Sequence, residues 1–459
     1  MNIILGGGLA GLSAAHLLSK SSANITLFEE GETVGGLART IEHNRFRFDL
    51  GGHRFITRNK RIMDFVSSIL NDSYLTVPRK SSIYMFGKYF DYPLRPANAV
   101  FGLGLRTTLQ ILGDYIAATA MNGIAPKEIR SLEDWVVSRF GRKMFNLYFK
   151  GYSEKVWGIE SSRISQEWVS QRIKGLSMWS ALKNAFFKFS GGDIDTLADS
   201  FIYPETGIGE ISDNLMRSLG NGNAVFSGAR VEKVFHENFT VKYVKVRTAS
   251  DTIEAEGGDF VSTIPLTELL GMLDPAPPED ILVSAKRLKF RDLIVAAVML
   301  EKPAVSDLTW LYLPEKDVKI GRIHEPNNWS RAMSPAGFTS IVAEYFCNRD
   351  EPLWKERDET IAENTADLLE KLNFISKREV AGSKVVRVPY AYPILDVGYR
   401  ESYDRVMRYL GCFSNLHLAG RGGTFRYLNM DSAIESGLIA AETILDRGPR
   451  VKEESLLPV

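Results

Sequence analysis

Residues 1–11, Met-Asn-Ile-Ile-Leu-Gly-Gly-Gly-Leu-Ala-Gly, are a short apolar run that passes directly into a glycine turn. Gly6, Gly8 and Gly11 fit G-x-G-x-x-G. In that pattern the first glycine permits a tight turn, the second lets the backbone approach a pyrophosphate, and the third lets the next helix pack closely on the strand. Leu9 and Ala10 stand between them, and the helix expected over Leu12–Ser19 aims its positive N-terminus at the phosphates. A second apolar run, Asn24-Ile-Thr-Leu-Phe28, leads to Glu29 and Glu30. Glu29 falls near the spacing of about 20 residues at which a carboxylate accepts from ribose hydroxyls. Strand, turn, helix and acid in this register specify a dinucleotide-binding βαβ unit.

Gly35-Gly-Leu-Ala-Arg-Thr40 follows, and it resembles the second glycine doublet of the glutathione-reductase-like FAD proteins, the amine oxidase superfamily above all. The resemblance implies FAD rather than NAD, with Gly35, Gly36, Leu37 and Ala38 at the cofactor. Far along the chain, Asn415-Leu-His-Leu-Ala-Gly-Arg421 is another apolar run closed by glycine, followed by a helix expected over Met430–Leu445. This pair fits the segment that closes such a fold over the flavin. It adds Gly420, Arg421, Asn429, Met430, Asp431 and Ala433 to the candidate cofactor residues.

Lys plus Arg and Asp plus Glu number 56 each, so no net field recruits nucleic acid or an acidic membrane. With 459 residues and 44% hydrophobic content, the chain can bury two or three cores. Cys347 and Cys412 are the only cysteines, too few for a disulfide framework and suited to a reducing cytoplasm. A signal peptide and a membrane span are not expected, since the first apolar stretch is already a strand and no uncharged run has spanning length. The nearest run, Ala97–Ala125, contains Arg106 and Asp114 and is expected to form helices packed on the flavin domain.

Changes in periodicity divide the chain. The fold class expected is α/β, with a Rossmann-like FAD-binding domain of glutathione-reductase type discontinuous over residues 1–75, 205–265 and 395–459. A helical domain is expected over 97–200, and an antiparallel β-sheet substrate domain over 76–96 and 266–394. Strands are expected on both sides of the turn Phe86-Gly-Lys88, at Val261-Ser-Thr-Ile-Pro265 rejoining the flavin domain, and at Leu293–Leu300, Thr309–Leu313 and Thr339–Phe346. A helix is expected over Glu356–Leu372, and a frayed tail over Arg450–Val459.

Six histidines are scattered without metal spacing, and no serine stands in a nucleophile elbow. No protein-bound metal is therefore expected, and the hard chemistry falls to the flavin. Gly151-Tyr-Ser-Glu-Lys-Val-Trp-Gly158 with Trp168 and Arg172, Trp310-x-Tyr312, Arg322-Ile-His-Glu325, Tyr390-Ala-Tyr-Pro393 and Gly420-Arg-x-x-Thr-x-Arg-Tyr427-x-Asn429 together resemble the UDP-galactopyranose mutase family over nearly the whole chain. Their spacing is closer to the eukaryotic branch. Guanidinium forks match diphosphate oxygens, and the resemblance makes Arg172 and Arg322 the diphosphate clamp. Tyr152, Trp157, Trp310, Tyr312, Tyr392, Tyr427 and Asn429 would contact the nucleotide sugar. In Asp49-Leu-Gly-Gly-His53, Gly51, Gly52 and His53 would lie against the isoalloxazine, with His53, Arg172 and Arg322 as the catalytic set.

The resemblance also implies NADPH, held at Arg79, Ser81 and Tyr92, as the reductant; another electron donor stays open. Arg95 departs from the family by replacing a Gln near the nucleotide. The activity implied is interconversion of pyranose and furanose forms of a nucleotide sugar, UDP-linked in the family's pattern, for surface polysaccharide. Reduced flavin N5 would act as nucleophile at the anomeric carbon. The alternative is a flavin oxidase or desaturase similar to protoporphyrinogen oxidase. Self-association into a homo-oligomer is left open.

Overall fold

A computed structural model describes residues 1–21, 24–92, 104–124, 128–172 and 200–446, and of residues 170–172 the backbone alone. The opening strand, Asn2–Leu5, is central in a five-stranded parallel sheet. It pairs with Ile25–Phe28 on one side and Asp259–Ser262 on the other. Leu416–Leu418 lies beyond Asp259–Ser262, and Ala224–Phe226 beyond Ile25–Phe28. Ile3, Ile4 and Leu5 are fully buried, as a parallel strand covered on both faces requires. The first helix, Leu9–Lys20, packs against the last described one, Met430–Leu445. Both ends of the chain therefore build one layer.

The second large sheet has seven strands, in the order Val380–Pro393, Phe290–Leu300, Thr339–Cys347, Arg322–His324, Trp310–Tyr312, Ser81–Met85 and Lys88–Tyr92. Phe290–Leu300 is buried almost throughout. Its even-numbered residues Ile294, Ala296 and Val298 pack toward Ile361, Ala366 and Leu369 of the helix Asp358–Lys371. Its odd-numbered residues Leu293, Val295, Ala297 and Met299 pack on Phe46, Phe48 and Leu50. The period of two is thus used on both faces, and the second face brings the hairpin Thr40–Asp49 of the N-terminal, glycine-rich segment onto the sheet.

An antiparallel sheet was expected here, but Trp310–Tyr312 and Ser81–Met85 run parallel. The hairpin Ser81–Tyr92 enters from before the helical region, so it reaches its neighbour by a long connection and is free of the antiparallel constraint of a tight turn. Residues 266–287, expected with this sheet, instead contribute Leu266, Leu269, Leu270 and Ile281 to a core shared with Ile3 and Leu5. Leu273–Asp274 in that stretch joins a four-stranded sheet with Arg230–Glu237, Thr240–Arg247 and Thr252–Glu256.

The helices Leu105–Ile124, Leu132–Phe140, Lys150–Trp157 and Gln166–Arg172 share a small core containing Ile111, Val136, Phe145, Trp157 and Val169. Leu105–Ile124 buries Ile111 in that core and leaves Leu105, Leu109, Ile116, Met121 and Ile124 exposed. The expected packing of this helix on the flavin domain is corrected accordingly. Arg95, the tail Arg450–Val459 and much of the expected helical domain lie outside the described residues. No helix among the described residues is long and apolar enough to cross a membrane.

Candidate active site

The two glycine segments meet backbone to backbone. Gly35 N donates to Gly7 O at 2.8 Å, Gly8 and Gly35 form a bridge, and a Cβ on Gly36 would stand 3.0 Å from Gly8 Cα. Glu29 accepts from Gly7 N at 2.6 Å and from Gly31 N at 2.8 Å, which fixes its carboxylate beside the turn. The helix Leu9–Lys20 starts at Gly8 without a side-chain cap, leaving its first N–H groups for an anion. Leu9 and Ala10 are buried there, and Gly35–Ala38 tightens into a short 3₁₀ turn.

Gly420 comes against Ala10, where an added Cβ would approach to 3.1 Å. Asn429 is exposed and precedes the helix opened by Met430 and Asp431, and its carbonyl accepts from Ala433 N at 2.8 Å. Glu30 is exposed and pairs with Arg230 at 3.2 Å, apart from this cluster. Apart from Glu30, these residues fit FAD: a side-chain-free cradle, an uncapped helix start and a fixed carboxylate.

From Asp49 the chain turns into the site. Asp49 accepts from Thr40 Oγ1 and Tyr203 OH, both at 2.6 Å, and from Ile208 N at 3.2 Å. Burial nevertheless pushes its carboxyl up to about 7. A Cβ on Gly52 would stand 1.6 Å from Trp310 Cζ3, so only glycine lets this loop lie on the indole. Gly52 N also donates to Glu344 Oε1 at 3.3 Å. A Cβ on Gly51 would come within 3.0 Å of Glu344 Oε2. His53 Nδ1 is buried with no hydrogen-bond partner. Burial, then Arg421 and Arg322, push the imidazole down to about 3, so the ring is neutral.

Arg322 stands opposite Glu344 across two antiparallel strands. Its Nη2 donates to Glu344 Oε2 at 2.6 Å and to Tyr392 OH at 2.9 Å. The guanidinium lies 4.8 Å over Trp310 and 5.2 Å over Phe346. Tyr392 stacks on Tyr427 at 5.7 Å, with Trp157 edge-on to both. Arg421 lies 5.1 Å over each of the two tyrosines and donates to Leu428 O and Ala391 O, fixing them in place. Tyr312 touches Trp310, Tyr152 and Tyr92. Arg79 lies 5.2 Å over Tyr92 and donates to Ser81 Oγ at 3.4 Å.

One continuous network thus joins Arg79, Ser81, Tyr92, Tyr152, Trp157, Trp310, Tyr312, Arg322, Tyr392, Arg421 and Tyr427, and His53 follows Gly52, which lies on Trp310. Arg172 ends its helix, and its side chain lies outside the described residues. Sequence reasoning missed Arg54, Glu344 and His324. Glu344 has a visible signal, a lone acid inside the apolar strand Thr339–Cys347. His324, packed against both Trp310 and Trp329, has only its place in the motif Arg322–Glu325. Among the described residues no group of three or more His, Cys, Asp or Glu could hold a metal.

The model of the family described as "Flavin containing amine oxidoreductase" matches residues 9–445. The chain belongs to that family. Membership implies FAD, in agreement with the cradle. A Haloarcula japonica protein named carotenoid 3,4-desaturase is 46% identical over 48 residues, 10% of each chain. The flavin-containing amine oxidase A of Equus caballus is 29% identical over 143 residues, 29% of this chain and 26% of that one. These matches span only about a tenth to a quarter of those relatives' length.

Among solved structures, a reduced UDP-galactopyranose mutase superposes with a TM-score of 0.84 at 21% identity, covering 99% of this chain and 97% of that one. A putative protoporphyrinogen oxidase from Exiguobacterium sp. 255-15 gives 0.74 at 17% identity, covering 97% and 99%. The amine oxidoreductase fold therefore extends over the whole molecule.

Proposed function

We propose that this flavin amine oxidoreductase family member is a nucleotide-sugar pyranose/furanose mutase acting on a UDP-linked sugar. The observation that carries the reading is the wall around Arg322: an enclosed guanidinium set among Trp310, Phe346 and the hydroxyls of Tyr152 and Tyr392. Aromatic faces suit a sugar, and guanidiniums suit the diphosphate that leaves with its charge. An apolar or amine substrate needs neither.

Gly6, Gly8, Glu29, Gly35, Gly36 and Gly420, with the start of the helix Met430–Leu445, would hold FAD. When bound and reduced, flavin supplies a nucleophilic ring nitrogen for the anomeric carbon. The chain's own part is to bind and orient. His53, buried and neutral, would add no charge next to a bound flavin. Arg322 and Arg172 hold the diphosphate against escape, and Tyr152, Tyr312, Tyr392 and Tyr427 fix the sugar. Arg79, Ser81 and Tyr92 hold NADPH or an equivalent donor that keeps the enzyme reduced. The product serves polysaccharide assembly in the cytoplasm.

A second reading, a flavin oxidase or desaturase, draws support from the short matches to a carotenoid desaturase and an amine oxidase. Incubating dithionite-reduced protein with candidate nucleotide sugars and separating the products distinguishes the two. A mutase gives a furanose isomer of equal mass with no oxygen consumed. Turnover by oxidised protein with one peroxide per product would replace the mutase by the oxidase.

A further inference from the structure

The loop that lays Gly52 on Trp310 carries Arg54 two residues later, and this side chain has no role in the reading above. Its guanidinium lies 4.8 Å over Trp310 and 5.9 Å over Phe201. Arg322 lies over the same indole, also at 4.8 Å. Two cations therefore share one ring, but the carboxylate beside them, Glu344, is already paired with Arg322. Among the described residues Arg54 has no ion pair, and its Nη1 is buried without a hydrogen-bond partner. Burial lowers its pKa most, Tyr312 and Tyr92 oppose the shift, and the two charged side chains that face it, Arg79 and Arg322, are both positive and add to the lowering.

Arginine does not escape such a position by losing its proton. Stacking on Trp310 offsets part of the desolvation but satisfies none of the N–H donors. What is missing is an oxyanion, and a planar fork accepts phosphate oxygens in pairs. Tyr312, Tyr92 and Ser81 stand on the same side, with Arg79 over Tyr92. Flat faces beside an anion-seeking fork suit a nucleotide better than a simple carboxylate.

We infer that Arg54 is a further phosphate-binding arm of this site, taking a phosphate group of a nucleotide ligand alongside Arg322, whose charge Glu344 partly offsets. The inference rests on the nucleotide reading of the site and deepens it. The phosphate can come from the diphosphate of the sugar nucleotide or from a reducing dinucleotide.

The test uses FAD-loaded protein and its Arg54→Met variant, titrated calorimetrically with UDP, uridine and NADPH, with thermal denaturation of each protein in the absence of nucleotide. Arg54→Met is expected to bind UDP, NADPH or both about ten- to a hundred-fold more weakly. Uridine binding and flavin content should stay unchanged, and the melting temperature should be equal or higher because an uncompensated cation has gone. The nucleotide that weakens identifies the source of the phosphate. Arg54→Lys, which keeps charge but loses the fork, should fall between the two and substitutes for Arg54→Met if that variant does not fold. If wild type binds UDP or NADPH and the variants bind within two-fold, with a lower melting temperature, Arg54 is a packing pillar and the inference alone fails. If wild type binds neither, the nucleotide reading fails, and the inference with it.

Discussion

Arg322 and Glu344 face each other across neighbouring antiparallel strands and join at 2.6 Å, with the carboxylate completely enclosed. Removing one member of such a pair strands a buried charge, whereas replacing both by apolar groups is often neutral or better. Arg322→Ala and Glu344→Ala should each destabilise by about 3–5 kcal/mol, read from denaturant midpoints. The double variant Arg322→Met with Glu344→Leu should regain most of that stability yet bind UDP far more weakly than wild type. A double variant as unstable as the singles would mean the pair is not the source of the loss.

The cradle predicts non-covalent flavin. Denaturing the yellow protein should release FAD quantitatively. Gly36→Val puts a Cβ 3.0 Å from Gly8 Cα, with further side-chain atoms beyond it, and should yield colourless protein. Retention of FAD in that variant would remove the glycine contact from the cofactor site.

Three histidines give the protein an acid limb. Burial lowers His16 to about 4, and His53 and His324 to about 3. Below about pH 6.5 the unfolded chain takes up protons that the folded chain refuses, so stability present above that pH is lost as pH falls toward 4 and then 3. The three together contribute up to roughly 4 kcal/mol per pH unit, about 1.4 for each proton. His16 stands near the end of the helix Leu9–Lys20, against Ser218 and Phe65. His16→Gln should reduce the slope by about one proton's worth, and an unchanged slope would show that His16 titrates normally.

Gly52→Ala tests the contact between loop and sheet. With Trp310 Cζ3 1.6 Å from the added carbon, the loop must lift, at a cost of about 1–3 kcal/mol. Flavin should still bind through the separate glycine cradle while nucleotide affinity falls. Unchanged affinity would mean that the loop does not shape the site.

The paired glycine segments were legible because what they require is local: Gly6, Gly8, Gly11, Glu29 and Gly35–Gly36 lie within one short stretch, and close backbone approach writes itself as glycine. The strands Asp259–Ser262 and Leu416–Leu418 were visible as isolated apolar runs. The longest strand, Val380–Pro393, was not, because its burial is irregular and its sequence mixes Lys384 and Arg387 with valines. The helix Tyr399–Leu410 was missed for a similar reason, a polar composition that hides its buried Tyr403 and Val406. At the site, aromatic and arginine positions came through resemblance, but the neutralisation of Arg322 by Glu344 depends on strand register between residues 22 apart. Arg54 was passed over because a cation without a partner is recognisable only once its surroundings are known.

The parallel sheet has a consequence for synthesis. Asp259–Ser262 leaves the ribosome with one edge unpaired, and its neighbour Leu416–Leu418 follows only some 150 residues later, roughly 10–30 s at ordinary translation rates. Through that interval the nascent cradle carries an open parallel edge, a surface prone to pairing with other chains. On the proposed flavin site, FAD would meet a half-built cradle until Leu416–Leu418 and the helix Met430–Leu445 complete that layer. Flavin supply during translation, rather than after release, should therefore govern how much of this protein escapes aggregation in the cell.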